Sequence, residues 1–291
     1  MVDRPDDHLV RRGGRQAGRG LPSHPTRRTV ISLERRDGKP LRIGHRGAAA
    51  LAPENTLRSF RAAVEAGVDL IEFDVLALRG GELIVAHSND LHEVSRGAAR
   101  GTIAALTLDR LREVSPELPT LDDALAFFAE EARDVGVHVD LKSAGAAPAV
   151  AAALSRFGLL ERSFVSSFHV RALRRLADVE PRVRLGVSFP RDMLRMDKRR
   201  GFGPVVGVGL HGLRRVTPGL VRSLLWRSST TALVLHHTLA SAATVRRAHA
   251  HGAAVVAWTV DDLRDLERVD DAGVDAVVTN DPSIFLSTLT T

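Results

Sequence analysis

Three observations predict that this sequence folds as a TIM barrel, a closed (β/α)8 cylinder of eight parallel strands. Eight short runs rich in Val, Ile and Leu recur along the chain, at residues 41–45, 68–75, 137–142, 163–168, 183–189, 232–236, 254–260 and 274–279. Stretches of helical period, such as TLRSFRAAVEAG, LDDALAFFAEEARDVG and VRRAHAHG, lie between most of them, and strands alternating with helices specify a parallel sheet. Glycines stand where helices should stop, at Gly67, Gly136, Gly252 and Gly273, each just before the next strand. An open doubly wound sheet would need a glycine-rich first turn, which the sequence lacks.

The elements follow in order. Residues 1–28 are rich in Arg, Gly, Pro and Asp with little periodicity, so a disordered basic arm is expected, followed by a barrel domain over 29–291. VISLERRDGKPLRIGH reads as two short strands around the turn signal Asp37-Gly38. After the second barrel strand, residues 76–120 break the rhythm with a hairpin signal at Arg79-Gly80-Gly81, a strand-like LIVAH and a loop-rich stretch. They predict a small insertion. Residues 190–231, between the fifth and sixth strands, form a second break that is long, basic and glycine-containing. Loops after barrel strands overhang the active end of the cylinder. This segment is a candidate lid or membrane-surface contact, or else a solvated connection with its own helix near 218–227.

Composition narrows the class. The chain has 291 residues, enough for one large barrel, and 44% of them are hydrophobic. No apolar run approaches the length needed to cross a bilayer. Arg11-Arg12 and Arg27-Arg28 precede no apolar stretch of export-signal length, so a cytoplasmic location is expected. Cysteine is absent, which removes disulfide and thiolate chemistry. The net charge of +6 is unevenly spread: residues 1–40 carry ten Lys/Arg against five Asp/Glu, and residues 190–231 carry nine against two, which leaves the scaffold mildly acidic. Aromatics are 4% of the chain, with no tyrosine. A nucleic-acid partner is therefore not expected, because such a protein spreads its basic residues over one face and interleaves them with stacking aromatics.

Ionisable residues cluster at the ends of the first three barrel strands. His45, followed by Arg46 and Gly47, closes the first. Glu72 and Asp74 lie two apart near the end of the second, and Asp140 and Lys142 two apart near the end of the third. The pleat puts each pair on one face. A barrel interior is normally packed with branched apolar side chains, so carboxylates there require a cation or hydrogen bonds. Oxygen-only donors suit Mg²⁺ or Ca²⁺ better than zinc and leave the histidines free for proton transfer. A salt-bridge cluster of Lys142 with Glu72 and Asp74, without metal, is the structural alternative.

The motifs Gly44-His45-Arg46-Gly47, Pro53-Glu54-Asn55-Thr56, Ile71-Glu72-Phe73-Asp74-Val75 and Ile84-Val85-Ala86-His87 occur in that order. They are followed by Leu118-Pro119-Thr120-Leu121, Asp140-Leu141-Lys142, Val256-Ala257-Trp258-Thr259-Val260, and Gly273-Val274-Asp275 through Asp281-Pro282. Over roughly residues 41–285 this set resembles the glycerophosphodiester phosphodiesterase family. The resemblance implies that His45 and His87 are the general acid and base, and that Glu72, Asp74 and Asp140 hold a divalent cation, Mg²⁺ or Ca²⁺. It also implies that Arg46 grips the phosphate, with Lys142 adding positive charge. Trp258 fills the barrel core or faces substrate. Glu54 and Asn55 could support the metal or the first histidine, although Asn55 reads first as a helix-start residue.

Three positions depart from the family pattern. Ser88 follows His87 where an Asp is usual, with Asp90 as a possible substitute; Glu93 stands where an Arg is usual; Asp140 replaces a Glu. The implied activity is hydrolysis of a small-molecule glycerophosphodiester to an alcohol and glycerol phosphate. The alternatives are a lysophospholipase D-like lipid phosphodiesterase whose basic segment contacts a membrane, and a non-catalytic phosphate-binding barrel.

Overall fold

The computed structural model describes residues 31–191 and 203–288. The N-terminal arm and residues 192–202 of the basic segment lie outside the described residues. Eight parallel strands close into a cylinder, the first in the chain pairing with both the second and the last, and a ninth strand adds to the second from outside. The eight parallel staves are β1 (Leu41–Gly44), β2 (Leu70–Ala77), β4 (Gly136–Leu141), β5 (Ser163–Ser167), β6 (Arg184–Phe189), β7 (Ala232–His236), β8 (Ala254–Trp258) and β9 (Ala276–Thr279). This is the TIM barrel the sequence predicts, and each stave falls within or close to one of the eight apolar runs.

Helices α1 (Leu57–Glu65), α4 (Leu121–Glu130), α5 (Ala147–Arg156), α6 (Val170–Val179), α7 (Gly203–Ser228), α8 (Ala242–His249) and α9 (Leu263–Asp271) connect the staves. The outer core between staves and helices is apolar, with Phe60, Phe73, Phe127 and Phe128 packed ring against ring where α1 and α4 cover β2. A second core fills the cylinder: Leu41, Ile43, Leu70, Phe164, Val234, Val256 and Val278 point inward. Phe164 reaches across it because β6 offers Gly186, where an added Cβ would stand 2.5 Å from the Phe164 ring. This packed floor leaves room for polar side chains only at the C-terminal ends of the staves.

The excursion between β2 and β4 carries β3 (Leu83–Val85), antiparallel to β2 and outside the cylinder, together with α2 (Leu91–Val94) and α3 (Leu108–Val114). Its own apolar cluster of Leu78, Ile84, Leu91, Ile103 and Leu111 holds it against the barrel.

Two local expectations are corrected and one is extended. Around Asp37-Gly38 only the single bridge Arg36–Lys39 forms, with no strand before it among the described residues, since the backbone of Ile31 is engaged elsewhere, donating to Glu161. Gly136 does not cap a helix; it opens β4, where a Cβ would meet Ile31 and Leu70 at 2.6 and 2.8 Å. The helix expected near 218–227 is present but longer: α7 runs over 26 residues, Gly203–Ser228. Among the described residues no helix is long and apolar enough to cross a membrane.

Candidate active site

The turn after β1 is shaped by two glycines. A Cβ on Gly44 would stand 2.3 Å from the Gly47 carbonyl oxygen, and one on Gly47, whose φ is +88°, would stand 2.4 Å from Ser59 Oγ. A side chain at either position would force the turn open. Between them, the His45 amide donates to the Thr279 carbonyl at 2.7 Å and the Arg46 amide donates to Glu72 Oε2 at 2.9 Å, which pins the turn to β9 and β2. Thr56 caps α1 through a reciprocal pair with Ser59. Just before it Asn55, at φ +59° and 1% exposed, points inward. Its Nδ2 donates to Asp74 Oδ2 at 2.9 Å and its Oδ1 accepts from the Asp74 amide at 3.2 Å.

Glu72 and Asp74 project from β2 into the cylinder, and the parallel register sets Asp140 of β4 beside Asp74. All three are buried, and each offers a carboxylate oxygen within 4.8 Å of the others. Lys142 Nζ lies 2.8 Å from Asp74 Oδ1 and 2.5 Å from Asp140 Oδ2. Arg46 Nε lies 3.2 Å from Asp74 Oδ2, and Arg46 Nη1 donates to Glu54 Oε2 at 2.6 Å. Burial opposes ionisation of Asp74, but Lys142 and Arg46 outweigh it and hold the carboxyl far below its usual range. Glu72 goes the other way: burial, then Asp74 and Asp140, push it well above the usual carboxylate value.

Three carboxylates therefore face two fixed cations, and Glu72 bears the excess. Exclusively oxygen donors, crowded and short of positive charge, fit a hard divalent cation. The metal-free alternative is met only in part, because Lys142 pairs with Asp74 and Asp140 and leaves Glu72 without it.

His45 Nδ1 is 2.7 Å from Asn280 Oδ1, and the Asn280 side-chain amide in turn donates to Asp261 Oδ2 at 2.6 Å. The carboxylate of Asp261 can only accept, so Asn280 Nδ2 faces it and Oδ1 must accept from His45. The proton of His45 sits on Nδ1. Its Nε2, 3.9 Å from Glu72 Oε2, carries a lone pair toward the carboxylates. Burial, then Arg46, lowers the pKa of His45 to about 3, so it is neutral. His87 follows β3; its Nδ1 lies 3.7 Å from Glu93 Oε1 and makes no hydrogen bond. Burial lowers its pKa as well, and both imidazoles feel Asp74, Arg46 and Lys142. The structure thus gathers His45, His87, Arg46, Lys142 and the three acids around one centre.

The profile of the glycerophosphoryl diester phosphodiesterase family matches residues 45–284, which spans every one of these groups. The chain belongs to that family. A glycerophosphodiester phosphodiesterase of Caldanaerobacter subterraneus subsp. tengcongensis is 26% identical over 273 residues, covering 86% of this chain and 97% of its own. One from Arabidopsis thaliana is 29% identical, covering 84% and 72%. Among solved structures, a phosphodiesterase of Oleispira antarctica in complex with the product sn-glycerol-3-phosphate superposes with a TM-score of 0.67 at 22% identity, covering 87% and 97%. The glycerophosphodiester phosphodiesterase of Thermotoga maritima gives 0.66 at 21%, covering 86% and 98%. Family membership makes the chain a phosphoric diester hydrolase acting on glycerophosphodiesters.

Within this family frame, Trp258 stands at the mouth of the barrel, its indole N–H donating to the Val234 carbonyl at 3.1 Å and its ring edge-on to Phe168 and His236. Its polar atom is spent on the scaffold, so it can offer a ligand only its ring. Asp90 does not replace the acid missing after His87: it accepts from the His92 amide and caps α2, and the carboxylate beside His87 is that of Glu93. Asn280 and Asp261 were not recognised in the sequence, although Asn280 follows β9 directly, as His45 follows β1. A further chain, His138–Ser166–Asp140, was also missed: Ser166 Oγ donates to Asp140 Oδ1 at 2.8 Å and accepts from His138 Nε2 at 2.9 Å.

Proposed function

We propose that the enzyme cleaves glycerophosphodiesters to an alcohol and glycerol phosphate in a metal-dependent reaction, with His45 as general base and His87 as general acid. The observation that carries this assignment is the Asn280 contact, which leaves the Nε2 lone pair of His45 directed at the carboxylate centre. Glu72, Asp74 and Asp140 would hold Mg²⁺ or Ca²⁺, which when bound supplies neutralising charge to the phosphoryl oxygens.

The protein's own groups do the rest. Arg46 and Lys142 draw the phosphate in and orient it. The attacking oxygen gives its proton to His45 Nε2 as it bonds to phosphorus. On the far side of phosphorus the bond to the alcohol breaks, and His87 delivers its proton to the departing oxygen. Burial together with Arg46 and Lys142 disfavours protonated His87 in the free site; the phosphate anion between them offsets those two cations and restores the acid. The glycerol phosphate seen with the Oleispira antarctica enzyme agrees with the product proposed here.

The test is turnover of glycerophosphocholine with Mg²⁺ or Ca²⁺, with EDTA, and in His45→Ala. Loss of turnover in the last two is expected. Activity that survives both EDTA and His45→Ala would defeat the mechanism.

A second reading concerns where the substrate is met. Helix α7 turns Val208, Val216, Leu220 and Trp226 to solvent, Trp226 with 81% exposure, beside exposed Arg215, Arg222 and Arg227. No acidic residue occurs between 203 and 228. An apolar, cationic helix face of this kind fits an anionic lipid surface, where lysophospholipid substrates reside. Co-sedimentation with phosphatidylserine vesicles should fall with salt and in the triple variant R215Q/R222Q/R227Q. Binding indifferent to both would dispose of this reading.

A further inference from the structure

Hydrogen-bond accounting at His87 leaves one donor without an acceptor. As general acid the ring carries a proton on each nitrogen and so presents two N–H donors. One goes to the departing oxygen. The other needs an acceptor within the protein, because Nδ1 is buried and has no hydrogen-bond partner among the described residues. A buried donor left unmet is costly, and a ring unheld at that nitrogen can turn about its bond to the chain. His45 has no such gap, since Asn280 holds its Nδ1.

The local backbone decides which group can close it. The Ala86 amide donates to the Asp74 carbonyl at 3.0 Å and the Val85 amide to the Pro119 carbonyl at 2.9 Å, so the chain entering His87 is anchored. Ser88 turns its hydroxyl back to accept from the Asp90 amide at 3.1 Å, and the Asp90 carboxylate caps α2. Both are engaged within their own loop. Glu93 of α2 places Oε1 3.7 Å from His87 Nδ1. Its helix is fixed by Leu91, which is buried in the apolar cluster of the excursion and whose amide donates to the Gly101 carbonyl at 2.9 Å. The Glu93 side chain itself is 40% exposed, which leaves its carboxylate room to move. Roughly 0.5 Å of closure brings the pair within reach of an N–H···O bond. Contacts of this kind are often long in an empty site and tighten around substrate.

We infer that Glu93 is the positioning residue of the general acid: it closes onto His87 Nδ1, accepts its hydrogen bond, and so makes Nε2 the nitrogen that protonates the departing oxygen. Glu93 acts through the ring alone. The inference rests on the reading of His87 as general acid.

The experiment uses a leaving group that needs no acid. With saturating Mg²⁺ or Ca²⁺, kcat is measured for glycerophosphocholine, whose choline departs as an alkoxide unless protonated, and for the p-nitrophenyl ester of glycerol phosphate, whose phenolate departs unaided. His87→Ala should lower the first by about 10²-fold or more and spare the second, and Glu93→Ala should show the same split at about tenfold. Glu93→Gln keeps an acceptor oxygen without its charge and should fall between Glu93→Ala and the native enzyme. Added to His87→Ala, the Glu93→Ala change should cost nothing further, because a residue that acts through the ring has no effect without it. Equal loss on the two esters in Glu93→Ala, no loss on either, or a loss that adds in full to that of His87→Ala overturns the inference and leaves the catalytic reading intact. Equal loss on the two esters in His87→Ala overturns the acid assignment itself.

Discussion

His45 Nδ1 and Asn280 Oδ1 lie 2.7 Å apart, and this one contact decides which nitrogen of the imidazole faces the reaction. Asn280 is itself oriented twice by Asp261, which accepts from its backbone amide at 2.8 Å and from its side-chain amide at 2.6 Å. The histidine is thus held in one tautomer and one plane by an amide that never touches the carboxylate cluster. Asn280→Ala should lower kcat by about 10²-fold, the usual contribution of a positioned general base, with little change in metal affinity. A variant in which metal titration and kcat fall together would place Asn280 in the metal site instead.

Asn55 grips Asp74 with both atoms of its side-chain amide. Asp74 is the acid with most partners, so freedom of its side chain should be felt as looser cation binding. Asn55→Ala should weaken Mg²⁺ or Ca²⁺ by roughly 10- to 100-fold, as loss of such supporting contacts does. Titration calorimetry of the purified chain measures this directly, and an unchanged affinity would show that Asn55 serves only the turn before α1.

The high pKa of Glu72 ties cation binding to pH. Burial and the neighbouring Asp74 and Asp140 favour its protonated form in the metal-free site, so a cation that binds there displaces a proton. Affinity should rise with pH up to the Glu72 pKa and level off above it. Calorimetry in buffers of different ionisation enthalpy should report proton release; a binding heat independent of buffer would contradict it.

Neutral histidines, one buried and one half-buried, set the acid limit of stability. Burial, before any other cause, lowers the pKa of His138 and of His236 to about 4 from the ordinary 6.5. Between these values the unfolded chain binds more protons than the native one, so stability falls as pH drops from 6.5 towards 4 and is fully present above 6.5. Urea midpoints across that interval check the sign. His138→Gln should flatten part of the slope, and an unchanged slope would mean that His138 is already charged in the native chain.

The sequence carried the barrel and the acidic centre because both are written in local patterns. Apolar runs of strand length mark the staves, and the i, i+2 spacing survives: Glu72 and Asp74 share a face of β2, and Asp140 near the end of β4 meets Lys142 just beyond it. What was not legible depends on closure. Asn280 reaches His45 only because β9 pairs with β1 across 235 residues of chain, and no local pattern distinguishes it from any polar residue after a strand. Asp90 misled for the opposite reason: near His87 in sequence, it is spent on a helix cap. Gly136 resembled a helix stop because glycine serves both left-handed caps and close packing, and only the neighbouring Ile31 and Leu70 tell them apart.

Gly186 and Phe164 test the floor on which the site stands. Phe164 is fully buried in the cylinder, its ring against His138 at 4.5 Å between centroids, and its edge occupies the space a Cβ on Gly186 would need. Gly186→Ala should therefore cost about 1–3 kcal/mol by overpacking, read as a lower urea midpoint at unchanged slope. Because Phe164 packs against His138 from the neighbouring strand, and His138 holds Ser166 against Asp140, the displaced ring should also disturb that acid and weaken cation binding. Phe164→Leu in the same background should recover midpoint and affinity together, since it frees the volume the new methyl requires. Recovery of one without the other would show that barrel packing and the acidic centre are not mechanically joined.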